Sequence, residues 1–341
     1  MIIVVRQGAT QAEIREIVDT IESKGLRTHF SEGTQVTIIG IVGDKSLLAD
    51  TPLDALSGVE KIVPIMESYK LSSRNFKPEG TIIEFPGCRI GGREIVMMAG
   101  PCAVESEEQI QASAKAVKAA GAKFLRGGAY KPRTSPYAFQ GLELEGLRLM
   151  KQAAKDHGLL VVSEITSEND LEAAAAYIDM VQIGARNAQN FRLLKEVGRS
   201  CIPVLLKRGI AETVEELLQA SEYVLSEGNY NVILCERGIR TFETATRSTL
   251  DIAAVPVLKS KTHLPVFVDP SHAAGKAAYV APLSKASVAA GADGLIIEVH
   301  PDPKHALSDA AQQITFDEFD RLCADVAGMA PIFGREFRHG A

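Results

Sequence analysis

The stretch IVMMAGPCAVESEEQIQASAKAVKAAGAKFLR, residues 95–126, decides the fold of this chain. It opens on an apolar run, Ile95–Ala99, of strand length. A break at Gly100-Pro101-Cys102 follows, then Glu107–Ala120, rich in Ala, Glu and Lys, as a helix would be. It closes on a second apolar run, Phe124–Arg126. The rhythm then repeats: apolar runs recur at 159–163, 180–183, 204–207, 232–235, 266–269 and 295–299, with helical stretches such as 142–156, 170–176 and 213–225 between them. Eight strand-like runs alternating with helices over about 250 residues predict parallel β/α units closed into a (β/α)8 TIM barrel. A doubly wound open sheet is the other architecture with this alternation. Against it, no Gly-x-Gly-x-x-Gly follows the first strand, and no Walker-type loop occurs anywhere.

Upstream, residues 1–70 read as a small separate α/β module. Ile2–Val5 is a β-type run, and Thr10-Gln-Ala-Glu13 is a capping box ahead of Ile14, Ile17, Val18 and Ile21 at helical spacing. Strands are expected over 26–30 and 36–42, a second helix over 46–56, and a last strand over 59–65. That βαββαβ order is ferredoxin-like. Residues 71–80, LSSRNFKPEG, read as a linker. The barrel is expected over 81–330, led by a hairpin at 81–90, with a tail at 331–341.

Length and composition agree: 341 residues suit two domains, and 46% apolar with 23% charged residues excludes a disordered or fibrous chain. The net charge of −6 gives no reason to expect nucleic acid or an anionic membrane as partner. Five widely spaced cysteines without a Cys-x-x-Cys argue against a disulfide framework, and the start MIIVVRQGAT is too short an apolar run for a signal peptide. A cytoplasmic location is expected.

A barrel of this kind gathers its chemistry at the C-terminal ends of its strands. The exits carry Arg126, Lys131, Arg133, Arg186, Lys207 and Arg237, from four strands. Cations converging on one mouth repel one another unless anions bind there. Arginine forks and lysine point charges suit phosphate and carboxylate. The substrate is therefore expected to carry two phosphates, or a phosphate and a carboxylate. A second group is Cys102, His272, Glu298 and Asp309, brought together because strands 7, 8 and 1 are neighbours in a closed barrel. A thiolate, an imidazole and two carboxylates suit a divalent metal ion, Mn2+, Fe2+, Co2+ or Zn2+, acting as a Lewis acid. His300 sits one step further out than Glu298 and is the poorer ligand candidate.

These segments carry a resemblance. Ala99-Gly-Pro-Cys102, Lys131-Pro132-Arg133-Thr134-Ser135, Gln182-Ile-Gly-Ala185-Arg186, Leu206-Lys207-Arg-Gly209, Cys235-Glu-Arg-Gly238, Asp269-Pro-Ser-His272 and Glu298-Val-His-Pro301 with Ser308-Asp309 resemble the motifs of 3-deoxy-7-phosphoheptulonate (DAHP) synthases, in the family's order. The first block resembles the ferredoxin-like extension of one subgroup. The resemblance implies a condensation of phosphoenolpyruvate with erythrose 4-phosphate, opening the shikimate pathway and releasing phosphate. It implies that Arg126, Lys131, Ala185, Arg186, Lys207 and Arg237 hold phosphoenolpyruvate. Lys131, Pro132, Arg133, Thr134, Ser135 and Asp269 would hold erythrose 4-phosphate, and Cys102, His272, Glu298 and Asp309 the metal. Glu164 is the candidate for guiding water, and Lys131 for protonating the nascent alkoxide. The alternatives are the sister synthase using arabinose 5-phosphate, against which Pro132 stands, a Schiff-base aldolase using Lys207, and a non-enzymatic ligand sensor. The first domain is expected to bind an aromatic amino acid through His29, Ser31 and Gly33 in a polar turn, and the family suggests a homotetramer.

Overall fold

The computed structural model describes residues 1–32, 37–48, 51–63, 68–131 and 137–340. The chain divides into two compact units, Met1–Thr81 with Ser260–His263, and Ile82–Lys259 with Leu264–Ala341.

In the first unit, β1 (Ile2–Val5), α1 (Gln11–Glu22), β2 (Arg27–Glu32), β3 (Thr37–Val42) and β4 (Val59–Val63) follow in order. The sheet runs β2-β3-β1-β4, every pair antiparallel, which is the ferredoxin-like arrangement. Thr10 caps α1 and Glu13 reaches back to the Thr10 N–H at 2.7 Å, so the capping box forms as its residues require. Ile17 and Ile21 then face Ile3, Val5, Ile39 and Ile41 in one buried cluster. The expected second helix does not form. Its place is taken by two 3-10 turns, Lys45–Leu48 and Leu53–Ala55. Pro52 explains this, since a proline disfavours helical backbone in the residue before it and lacks an N–H.

The second unit begins with a hairpin, β5 (Ile83–Phe85) and β6 (Cys88–Ile90). Eight parallel strands follow: β7 (Val96–Gly100), β8 (Phe124–Arg126), β9 (Leu160–Glu164), β10 (Met180–Ile183), β11 (Val204–Lys207), β12 (Val232–Glu236), β13 (Val266–Val268) and β14 (Gly294–Glu298). β14 pairs with β7, so the barrel is closed. Helices α2 (Glu107–Ala119), α3 (Glu143–His157), α4 (Glu168–Ala174), α5 (Phe191–Ser200), α6 (Val214–Leu225), α7 (Ala254–Lys261), α8 (Pro270–Ala274), α9 (Ala277–Ala289) and α10 (Phe316–Met329) complete it. Ile83 and Ile90 of the hairpin share a buried cluster with Val96, Phe124, Phe267 and Ile296, and Phe85 meets Phe124 edge-on at 5.1 Å. Val96 and Phe124 begin their strands, and Phe267 and Ile296 lie just inside theirs, so the hairpin stoppers the N-terminal end of the barrel and leaves the C-terminal end for chemistry. Among the described residues no helix is long and apolar enough to cross a membrane.

Candidate active site

Three strand exits build one cluster of ligand-type atoms. Cys102 follows β7, His272 lies in α8 after β13, Glu298 ends β14, and Asp309 lies in the loop beyond. The ligand atoms of Cys102, Glu298 and Asp309 lie within 4.8 Å of one another. His272 Nε2 is 3.5 Å from Glu298 Oε1 and 4.0 Å from Asp309 Oδ2. The opposite ring nitrogen, Nδ1, lies 2.7 Å from Asp269 Oδ2. Asp269 is ionised and can only accept, so Nδ1 carries the proton and Nε2 presents its lone pair to the cluster. Burial raises the Asp269 pKa, but His272 and Lys207 outweigh it and hold the carboxyl well below the ordinary range.

The charges in the cluster offset one another. Burial pushes the Glu298 carboxyl up, and His272, Arg126 and Lys131 pull it down further than that. Arg126 Nη1 donates to Glu298 Oε1 at 2.7 Å. Burial, aided by the charge of Glu298, pushes the Cys102 thiol up to about 12. Lys131 Nζ lies 3.1 Å from Cys102 Sγ and donates to the Cys102 carbonyl at 2.9 Å.

Beside this cluster opens a cavity of about 540 Å³. Six cations line it, Lys131, Arg186, Lys207, Arg237, Arg240 and Arg247, against the carboxylates Glu164 and Asp309. Lys207 pairs with Asp269 at 2.5 Å and Arg247 with Asp309 at 3.1 Å. Among the described residues no carboxylate pairs with Arg186, Arg237 or Arg240. Burial lowers the Arg237 pKa, and only the Ser248 hydroxyl and the carbonyls of Gly238 and His272 accept from it. A buried guanidinium without a counter-charge is costly, and an anion in the cavity would remove that cost. On the far wall Glu164 Oε2 accepts from Gln182 at 3.2 Å. Gly184 makes this position possible, since a Cβ there would sit 1.9 Å from Glu164 Oε1.

The predicted residues fall out unevenly. Lys131, Glu164, Ala185, Arg186, Lys207, Arg237, His272 and Asp309 line the cavity. Arg126 lies behind it as the partner of Glu298, with its Nε buried and without a hydrogen bond. Asp269 is buried, engaged by Lys207 and His272. His300 bonds Glu105 at 3.3 Å instead of the cluster. Pro132, Arg133, Thr134 and Ser135 lie outside the described residues, as does Gly33. His29 and Ser31 stand in β2, paired with Gly40 and Ile38, and not in a turn as expected, because the β-type run continues to Glu32. At Gly40 a Cβ would meet the Phe76 ring at 2.5 Å, so that side of the sheet carries Phe76. Sequence reading missed Arg240, Arg247, Ser248 and Gln312. The first three lie past Gly238, the last residue of the Cys235–Gly238 motif, and Gln312 lies three residues beyond Asp309.

Residues 73–330 match the model of the DAHP synthetase I family, and residues 1–67 that of the DAHP synthase ferredoxin-like domain. The chain belongs to the DAHP synthetase I family. A phospho-2-dehydro-3-deoxyheptonate aldolase of Thermotoga maritima is 48% identical over 98% of this chain and 99% of its own length. A 2-dehydro-3-deoxyphosphooctonate aldolase of Syntrophotalea carbinolica is more distant, 32% identical over 71% of this chain and 93% of its own. The crystal structure of the DAHP synthase of Thermotoga maritima superposes with a TM-score of 0.79 at 47% identity, covering 99% of both chains. The chain is accordingly an enzyme, a DAHP synthase of the subgroup with a ferredoxin-like first domain.

Proposed function

We propose that this DAHP synthase condenses phosphoenolpyruvate with erythrose 4-phosphate and water, giving 3-deoxy-D-arabino-heptulosonate 7-phosphate and inorganic phosphate. The observation that carries this is one cavity in which six cations border a Cys/His/Glu/Asp cluster. The donor set fits a divalent ion: a thiol, an imidazole with its free nitrogen turned inward, and two carboxylates, with ligand atoms already close. Cys102, His272, Glu298 and Asp309 would hold Mn2+, Fe2+, Co2+ or Zn2+, which supplies Lewis acidity toward an aldehyde oxygen.

The protein's own groups do the rest. Arg186, Lys207 and Arg237 hold the phosphate and carboxylate of phosphoenolpyruvate, and Arg126 fixes Glu298 behind them. Lys131 stands between cavity and cluster and delivers a proton to the oxygen that was the aldehyde's. Glu164 faces the cavity from the opposite wall and orients water toward C2 of the enolpyruvate. Pairing of Lys207 with Asp269 argues against a Schiff base, because forming one would first break this buried ion pair. The erythrose 4-phosphate segment is Lys131 to Ser135.

The test is phosphoenolpyruvate consumption with erythrose 4-phosphate, with arabinose 5-phosphate, and with a chelator. Activity with the first sugar alone, lost to the chelator and restored by a divalent ion, is expected. Equal use of both sugars, or chelator-resistant activity trapped by borohydride, overturns the reading. We further propose that the first domain takes tyrosine or phenylalanine as effector in a homotetramer of the cytoplasm. Unchanged inhibition after removing residues 1–70 would refute the effector role.

A further inference from the structure

The two carboxylates of the cluster share one neutral donor. Gln312 Nε2 donates to Glu298 Oε2 at 2.6 Å and to Asp309 Oδ2 at 3.3 Å. Its amide oxygen accepts from Arg247 Nη1 at 2.8 Å, and the same Nη1 donates to Asp309 Oδ2 at 3.1 Å. Gln312 is 2% exposed. Asp309 itself holds a left-handed backbone, φ +47°, which a non-glycine residue adopts at a cost. Two anions this close repel, and the short turn Ala310–Gln312 holds the Asp309 carbonyl through the Gln312 N–H but leaves its carboxylate without a cap bond.

Arg247 is anchored from the other side. Its backbone N–H donates to the Ala274 carbonyl and that of Ser248 to Ala273, both in α8, the helix that carries His272. The segment that bears it is closed at its base by the Ile239–Thr249 bridge and a 2.6 Å contact between the Thr241 and Thr249 hydroxyls. Arg247 and Gln312 thus tie three separate pieces of chain, the loop after β12, α8 and the loop after β14, to the same pair of carboxylates.

We propose that Gln312 and Arg247 are positioning residues that hold Glu298 and Asp309 at ligand spacing before any cation arrives. The inference rests on the metal reading above. An amide suits this post because it joins two anions without adding charge and without competing for the ion's site. Arg247 steadies Asp309 and Gln312 together and brings the loop after β12 against the cluster. Outer partners of this kind set affinity by sparing the ligands the rearrangement that binding would otherwise require.

The test reads metal binding and not turnover. The dissociation constant of the metal-free full chain for Mn2+ and for Zn2+ is measured by competition with a chromogenic chelator, for the unaltered chain, Gln312→Met and Arg247→Gln. Each variant is expected to bind about 10- to 100-fold more weakly, while its melting temperature in excess chelator stays close to that of the unaltered chain. Arg247→Lys, whose nitrogen reaches one bond less far than the Nη1 that makes both contacts, restores little of the affinity. Should Gln312→Met not fold, Arg247→Gln, on a side chain already 39% exposed, decides alone. Variants that bind as tightly as the unaltered chain overturn the positioning role. An unaltered chain that binds neither ion overturns the metal reading beneath it.

Discussion

Two arginines at adjacent strand exits show what the barrel asks of a buried cation. Arg208 follows β11 in Lys207-Arg208-Gly209, and Arg237 follows β12 in Glu236-Arg237-Gly238. They are equally buried, at 4% and 5% exposed. Arg208 Nη1 reaches Glu236 at 2.8 Å and Asp251 at 2.9 Å, and these partners outweigh burial to raise its pKa. Arg237 has no carboxylate partner among the described residues, and burial lowers its pKa. Arg208 completes a charge network that the fold closes by itself. Arg237 leaves one open, toward the cavity. The same residue type in the same motif is therefore masonry in one case and, on the proposed function, a receptor for anions in the other.

The largest effect expected from this contrast is on turnover. Arg237→Met removes the cation proposed to hold phosphoenolpyruvate, so kcat/KM for it is expected to fall about 10²- to 10³-fold, while the urea midpoint is retained. A midpoint that falls as far as the activity would break the comparison. Arg208→Met should do the reverse. It leaves Glu236 and Asp251 facing each other uncompensated, at a cost of about 3 kcal/mol in unfolding free energy, read by urea denaturation, with a much smaller change in KM. The smallest effect concerns a buried base of the first unit that also lacks an anion. His263 bonds the Thr81 hydroxyl at 2.7 Å and the Leu71 carbonyl at 2.6 Å, and burial lowers its pKa to about 4 from an ordinary 6.5. Between those values the unfolded chain takes up a proton that the folded chain refuses. Its contribution is thus present above pH 6.5 and lost as pH falls toward 4, at about 1.4 kcal/mol per pH unit. His263→Gln should flatten the stability curve over that interval, and a curve of unchanged slope would remove His263 from the account.

The barrel was legible because parallel strands are covered on both faces and so read as unbroken apolar runs. The runs 180–183 and 204–207 coincide with the observed strands Met180–Ile183 and Val204–Lys207. The site was legible at the strand ends for the same reason: a closed barrel turns distant positions into neighbours. What escaped depends on contacts that no local pattern encodes. Pro52 broke a helix that the surrounding apolar spacing favoured. The fates of Arg208 and Arg237 diverge through Asp251, far from either motif. Gln312 owes its place to two carboxylates and an arginine from other loops, and nothing in Ala310-Ala311-Gln312-Gln313 marks it. His29 and Ser31 were assigned to a turn because a β run has no clear end in sequence when polar residues continue its pairing.

The hairpin over the far end of the barrel bears on traffic. With Ile83, Phe85 and Ile90 packed against the barrel strands, that end of the barrel is covered, and the cavity lies at the other. Arg237 lies buried below, whereas Arg240 is exposed nearer the solvent. An anion held at Arg240 would still face water, whereas one held at Arg237 would have left it.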